Sequence, residues 1–198
     1  MRAGVEGFLV KPVSSDELLS AVIVRCERAR TLRSLMDRDG LCGLFNHSTL
    51  SRALEQTSSL ATRRDTEVCF VMIDIDRFKS INDTYGHPVG DQVIVALARV
   101  IQQRVRHSDI AGRYGGEEFA IILNDTNLNH AFQLIEEIRT AFAAIHFSAP
   151  EGEFSCTFSA GIASNRHHMT PATLREAADQ ALYRAKHAGR NRTLMDKE

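Results

Sequence analysis

Cysteine is scarce in this chain: Cys26, Cys42, Cys69 and Cys156 lie far apart, with no CxxC spacing. That leaves no disulfide frame and no zinc ribbon to expect, and it fits the reduced thiols of a cytoplasmic protein. The histidines include no HExxH, and the one adjacent pair, His167-His168, sits in a polar loop where solvation accounts for it. No GxxxxGKS or GxxxxGKT segment is present, which sets aside the P-loop NTPases. An excess of one charge is missing too: the net charge is −1, so no basic field points to nucleic acid. No apolar run approaches the roughly 20 residues that cross a bilayer, and Met1-Arg2-Ala3-Gly4-Val5-Glu6 is not a signal peptide. Neither nucleic acid nor membrane is expected as a partner, and the expected location is the cytoplasm. What is present is ordinary for a soluble globular chain, 43% hydrophobic and 25% charged, with 198 residues for one sizeable domain plus an appendage.

The chain is organised around Arg113-Tyr114-Gly115-Gly116-Glu117-Glu118-Phe119. Ile110 and Ala111 before this stretch, and Phe119 to Leu123 within and after it, predict two strands. They fold back at Gly115-Gly116, in a two-residue turn whose positive φ glycine reaches without steric cost. Two adjacent carboxylates then stand at the tip of a hairpin whose body belongs to the core. A turn without side chains lets a phosphate or a base approach the backbone. Taken alone, a Gly-Gly hairpin with solvated glutamates fits equally well.

Gly7-Phe8-Leu9-Val10 reads as a short buried strand running into Lys11-Pro12. Asp16-Glu17 open a helical pattern to about residue 38, with Leu18, Leu19, Val22, Ile23, Cys26, Ala29, Leu32 and Met36 near helical spacing. One strand and one helix cannot bury a core. Residues 1–22 therefore read as the closing piece of another domain, followed by a linker helix over 23–38 that either pairs with its twin or packs on that domain. The glycine-punctuated segment from Asp39 to His47 opens the main domain, 39–198. Residues 48–63 give a weak helix. Val68 to Ile75 is an almost unbroken apolar run, the mark of a central strand covered on both faces. Asp74 stands at its end; Asp76 points the same way and Ile75 the other. A dry, unpaired carboxylate there is costly, so the strand end must open on a cation or a cleft. Arg77 to Asp91 then gathers charge, amide, imidazole and glycine directly behind that strand end. A helix follows with Val93, Ile94, Leu97, Ile101 and Val105 on one face and Asp91 in its first turn, where the dipole favours a carboxylate. Another helix covers about 127–144, and a strand covers 154–164. A last helix runs from Thr170 as N-cap through Pro171 to about His187, before a short strand over 190–194. Strand, helix, hairpin, helix, strand, helix, strand predicts an α+β fold on a largely antiparallel sheet.

Three segments together resemble one family: Asp74-Ile-Asp-Arg-Phe-Lys-x-Ile-Asn-Asp-x-Tyr-Gly-His-x-x-Gly-Asp91, Arg113-Tyr-Gly-Gly-Glu-Glu-Phe119 and Ala178-Asp-Gln-Ala-Leu-Tyr-Arg-Ala-Lys-x-x-Gly-Arg-Asn191. In this order they are similar to the GGDEF family of diguanylate cyclases, over residues 39–195. The resemblance implies a five-stranded, mostly antiparallel sheet flanked by helices, like the adenylyl cyclase catalytic domain and the polymerase palm. It implies condensation of two GTP into cyclic di-GMP and two pyrophosphates. By that resemblance Asp74, Glu117 and the backbone carbonyl of Ile75 hold Mg2+ or Mn2+, two ions per active half-site. Glu118 completes the shell, and Glu117 is also the family's proposed catalytic proton acceptor. Asn82 and Asp91 match the pair that reads guanine, whose N1–H and exocyclic amine one carboxylate can accept together. Phe78, Lys79, His87, Gly115 and Gly116 match substrate positions, and Lys186 and Arg190 match phosphate-binding cations. The chemistry is coherent, because a triphosphate needs a hard cation held by one or two carboxylates. One subunit holds one GTP, so a two-fold homodimer is implied.

Arg106-His107-Ser108-Asp109 is an RxxD shortly before the hairpin. It matches the family's product-inhibition site, where the arginine would clamp phosphate and base and the aspartate would accept from guanine. The opening residues resemble the last strand and helix of a two-component receiver domain, on Lys11 and Pro12; no phosphoacceptor aspartate accompanies them, so phosphorylation is not expected. Cys42 and His47 depart from the threonine and arginine usual in the family, a matter for local packing or regulation. Two rival readings are a silent relative that senses cyclic di-GMP through Arg106 and Asp109, and a cyclase acting on another nucleotide. Intact Asp74, Asn82, Glu117 and Lys186 speak against the first, and Asp91 against the second.

Overall fold

A computed structural model of the protein describes residues 14–150, 152–168 and 170–196. Lys11 and Pro12 lie outside the described residues. Two compact units divide the chain at Asp37/Arg38. The first contains one continuous helix, α1 (Ser15–Asp37). Its Leu18, Leu19, Val22, Ile23, Val24 and Cys26 are all exposed.

The second unit begins with α2 (His47–Arg64), β1 (Val68–Ile75), α3 (Phe78–Tyr85) and α4 (His87–Gln102). Strands β2 (Ile110–Arg113) and β3 (Glu118–Asn124) follow, then α5 (Leu128–Ala143), β4 (Phe147–Ala149) and β5 (Gly152–Phe154). The chain closes with β6 (Phe158–Ser164), α6 (Pro171–His187) and β7 (Thr193–Met195). Five strands form one sheet in the order β2-β3-β1-β6-β7, antiparallel except for the β6–β7 pair. The α+β expectation holds, with β1 at the centre.

Why β1 is central follows from its residues. All eight are buried, and their alternation divides the core in two. Cys69, Val71, Ile73 and Ile75 join the residues of α3, α4 and α5. Val68, Phe70 and Met72 join those of α2 and α6. Period two therefore turns Asp74 toward the α6 face. Helix α6 approaches that face closely because its buried stripe is small: Ala177, Ala178, Ala181 and Ala185 beside Leu174 and Leu182. A Cβ on Gly161 of β6 would lie 2.1 Å from the Ala178 carbonyl oxygen and 2.2 Å from the Leu182 nitrogen. Any side chain there would push α6 off the sheet. The helix starts as its sequence predicts, with Thr170 as N-cap in a reciprocal capping box with Thr173 and with Pro171 in the first turn.

Four local expectations are corrected. Gly115 and Gly116 are not at positive φ. The turn takes four residues, 114–117, and the amides of Tyr114 and Gly115 both donate to the Glu118 carbonyl, at 2.7 and 3.2 Å. The final strand expected over 190–194 is only Thr193–Met195, because Arg190 and Asn191 turn in left-handed backbone; residues 78–85, to which the sequence reading gave no element, form the short helix α3, because Phe78 and Ile81 bury one side of it. Helix α4 starts at His87, so Asp91 lies beyond the first turn and the dipole has less to do with it. The strand expected over 154–164 is broken at 155–157, and its first part pairs with β4 in a separate hairpin.

Candidate active site

Asp74, next to last in β1, lies opposite Glu118 of β3 and Ser159 of β6. It is 7% exposed, and Lys186 Nζ of α6 stands 2.7 Å from its Oδ2. The Ile75 amide donates to the Glu117 carbonyl at 3.3 Å, tying the strand end to the hairpin loop. Burial pushes the Asp74 carboxyl above its usual range, against the pull of Lys186. Burial likewise raises Glu117 and Glu118, and the charge of Asp74 raises both further, while Lys186 draws them back. Three desolvated carboxylates thus share one lysine. Such a cluster is short of positive charge, which is what a divalent cation supplies. The described residues bring no three carboxylate, imidazole or thiol groups into a ready cation cage.

The hairpin loop is tied through Arg113 to Asp39. Arg113 donates from Nε (3.1 Å) and Nη2 (2.6 Å) to the Gly116 carbonyl, and from Nη1 to Asp39 Oδ2 at 3.2 Å. Asp39 in turn accepts the amides of Leu41 and Cys42. A Cβ on Gly116 would meet nothing within 4 Å among the described residues, so its outer face is open to a ligand. Both departures from the family pattern touch this framework. Burial pushes the Cys42 thiol, hydrogen-bonded to Asp39, up to about 11, and the His47 ring packs edge-on against Tyr114 at 4.4 Å.

The α3–α4 corner forms a second part of the site. The Asn82 side chain lies over Gly90, where a Cβ would fall 2.0 Å from Asn82 Oδ1 and 3.2 Å from Phe78 Cζ. Only glycine allows that contact. Asn82 Oδ1 is buried with no hydrogen-bond partner among the described residues, a deficit worth about 1–3 kcal/mol until a donor arrives. Asp91 follows Gly90 and is exposed, as are His87 and Lys79; Phe78 is buried. The third part is the loop after α6, where Gly189, Arg190 and Asn191 hold φ of 113°, 64° and 46°. The exposed Arg190 and Asn191 line a cavity of about 500 Å³ with Asp76, Arg77 and Thr84.

The expected site residues from Asp74 to Arg190 therefore gather around one end of the sheet. The RxxD stands elsewhere, before β2. Asp109 Oδ2 accepts the Arg106 amide at 3.0 Å, Oδ1 accepts the Asn124 amide at 3.2 Å, and the Arg106 side chain is exposed. Sequence reasoning missed Arg113, Asp39 and the anchoring role of Asp76. Arg113 was legible as a charge flanking the turn; its tie to Asp39 joins residues 74 apart and left no local signal.

Residues 36–192 match the family described as Diguanylate cyclase, GGDEF domain. Diguanylate cyclase DgcP of Pseudomonas aeruginosa is 42% identical over 154 residues, 78% of this chain and 23% of that protein. Response regulator PleD of Caulobacter vibrioides is 35% identical over 204 residues, 96% of this chain and 45% of its own length. The chain thus spans less than half of either relative. Among solved structures, the GGDEF domain of DgcB from Caulobacter crescentus in complex with c-di-GMP superposes with a TM-score of 0.79 at 34% identity. The superposition covers 82% of this chain and 96% of that one. The fold, the three motifs in their order and these likenesses agree: the chain belongs to the GGDEF-domain family of diguanylate cyclases.

Proposed function

We propose that this protein condenses two GTP into cyclic di-GMP and two pyrophosphates. The observation that carries the reading is the meeting of Asp74, Glu117, Glu118 and Lys186 at one strand end, beside a corner whose buried Asn82 oxygen lacks a donor. In this reading Asn82 and Asp91 accept from the base, which selects guanine over adenine because adenine lacks that pair of donors. Phe78, Lys79 and His87 line the substrate, and the side-chain-free Gly115 and Gly116 let the nucleotide lie against the hairpin. Lys186 moves from Asp74 to the phosphates, and Arg190 joins it.

Asp74, Glu117, Glu118 and the Ile75 carbonyl would hold two Mg2+ or Mn2+ ions, whose chemistry is to lower the pKa of the attacking 3′-hydroxyl and to stabilise the leaving pyrophosphate. Glu117 is also the candidate proton acceptor, although a carboxylate engaged by a metal is a weak base. Each 3′-hydroxyl must attack the other nucleotide's α-phosphate, so two copies face each other across a two-fold axis. The exposed apolar residues of α1 suit pairing with a twin, and the likeness to PleD across 96% of the chain supports residues 1–22 as the end of a receiver domain. Arg106 and Asp109 form a product-inhibition site, in keeping with the c-di-GMP bound to the DgcB domain. No helix among the described residues is long and apolar enough to cross a membrane, and a cytoplasmic location suits the substrate.

Incubation with GTP and Mg2+, followed by chromatography of the products, tests this. Cyclic di-GMP is expected. Binding of cyclic di-GMP without any product from GTP would favour the silent sensor instead.

A further inference from the structure

Gly189, Arg190 and Asn191 are three consecutive residues in left-handed backbone. Two of them carry side chains, and the region is unfavourable for Arg190, less so for Asn191, since asparagine reaches it more readily. Such a turn persists only where its surroundings over-determine it. Here two groups do so from opposite sides.

Asp76, 6% exposed, accepts from Ser159 Oγ at 2.7 Å on one oxygen. On the other it accepts from Thr157 Oγ1 at 2.6 Å and from the main-chain amide of Asn191 at 3.0 Å. From α5, Arg139 Nη1 donates to Asn191 Oδ1 at 2.6 Å. Arg139 is itself fixed by paired bonds to Glu136, at 2.8 and 2.7 Å. Asn191 is thus gripped by its backbone and by its side chain, and the preceding Arg190 amide donates to the Ala185 carbonyl at 3.1 Å. These bonds engage both the main chain and the side chain of Asn191, while the exposed Arg190 side chain is left to extend outward.

We propose that Asp76 and Arg139 are positioning residues, which hold the left-handed 189–191 turn so that Arg190 faces the triphosphate of the bound nucleotide. The inference rests on the reading of Arg190 as a phosphate-binding cation. Asp76 lies two residues past Asp74, so one strand end fixes both the carboxylate side and the cationic side of the site. Three donors converge on Asp76 within the protein, which gives it the role of anchor rather than of ligand. Arg139 brings α5, a helix that supplies none of the residues assigned to substrate, into the same arrangement.

The test is calorimetric binding of inorganic pyrophosphate with Mg2+, together with steady-state kinetics on GTP. The variants are Arg190→Ala, Arg139→Ala, Arg139→Lys, Asp76→Asn and the double variant Arg139→Ala/Arg190→Ala. Arg190→Ala is expected to weaken pyrophosphate binding and raise KM about tenfold, and Arg139→Ala to do both about threefold with kcat within about twofold. Arg139→Lys should recover part of the loss. In the double variant, Arg139→Ala should add nothing to Arg190→Ala, since it acts through that residue. Asp76→Asn should follow Arg139→Ala; if it fails to fold, the Arg139 series decides alone. A merely structural Arg139 would lower the active fraction while leaving KM and pyrophosphate affinity unchanged. An unchanged affinity in Arg190→Ala would overturn the reading of Arg190 and this inference with it. A tenfold effect in Arg190→Ala with none in Arg139→Ala, or with losses that multiply in the double variant, would overturn the positioning role alone.

Discussion

The two ends of the β2–β3 ribbon are built from the same pair of strands and differ in almost everything else. At the hairpin end, Glu117 and Glu118 crowd against Asp74 with their carboxyls pushed upward by burial and mutual charge. At the other end, Asp109 accepts two main-chain amides, and Arg106 extends into solvent. The four residues of β2 put about 14 Å of strand between them. One end stores electrostatic repulsion that a cation would relieve. The other is relaxed and offers an arginine to an anion. Under the proposed function the first is the chemical site and the second the inhibitory one, and two such sites are expected to differ in this way, because only the first must develop new charge during turnover.

Breaking the hairpin end gives the largest effect. Glu117→Gln is expected to reduce cyclic di-GMP formation by at least about a thousandfold, with the fold kept, as read by near-UV circular dichroism. Retained activity would reject the metal assignment. Breaking the far end is milder: Arg106→Ala should raise the inhibition constant for cyclic di-GMP about tenfold, the worth of one charge-assisted contact. An unchanged constant would count against Arg106 and Asp109 as the inhibitory site.

The smallest effect sharpens the contrast through pH. Glu117 and Glu118 have carboxyls raised above their ordinary 4.5, and Asp74 above 3.8. The native state therefore binds more protons than the unfolded state in the window above those values. Stability from these groups falls as pH rises through that window. In metal-free protein, Glu117→Gln should raise Tm by about 1–3 °C at pH near 7.5 and by less near 4.5. A difference that shrinks with rising pH would contradict the crowding.

Much of this was legible along the chain. Eight buried residues in an apolar run identified β1, and Thr170-Pro171 identified the start of α6. The three motifs identified the family. Helix α3 escaped notice because only Phe78 and Ile81 bury themselves among its polar residues, too few to make a periodic signal. The positive φ assigned to Gly115 and Gly116 followed from two-residue turns, whereas a four-residue turn closed by the Glu118 carbonyl needs none. The anchoring of Asn191 by Asp76 joins residues 115 apart in sequence. Period two predicted the direction of Asp76, but only the folded sheet reveals what it grips.

The central claim is that the end of β1 and the hairpin grip the metal and triphosphate of GTP between them. Locating Mn2+ by anomalous scattering, in crystals grown with a non-hydrolysable GTP analogue, tests it most directly. The account predicts manganese bound by the carboxylates of Asp74 and Glu117, with Lys186 Nζ moved from Asp74 onto phosphate. Manganese bound elsewhere, with the Lys186–Asp74 pair intact beside the nucleotide, would contradict it.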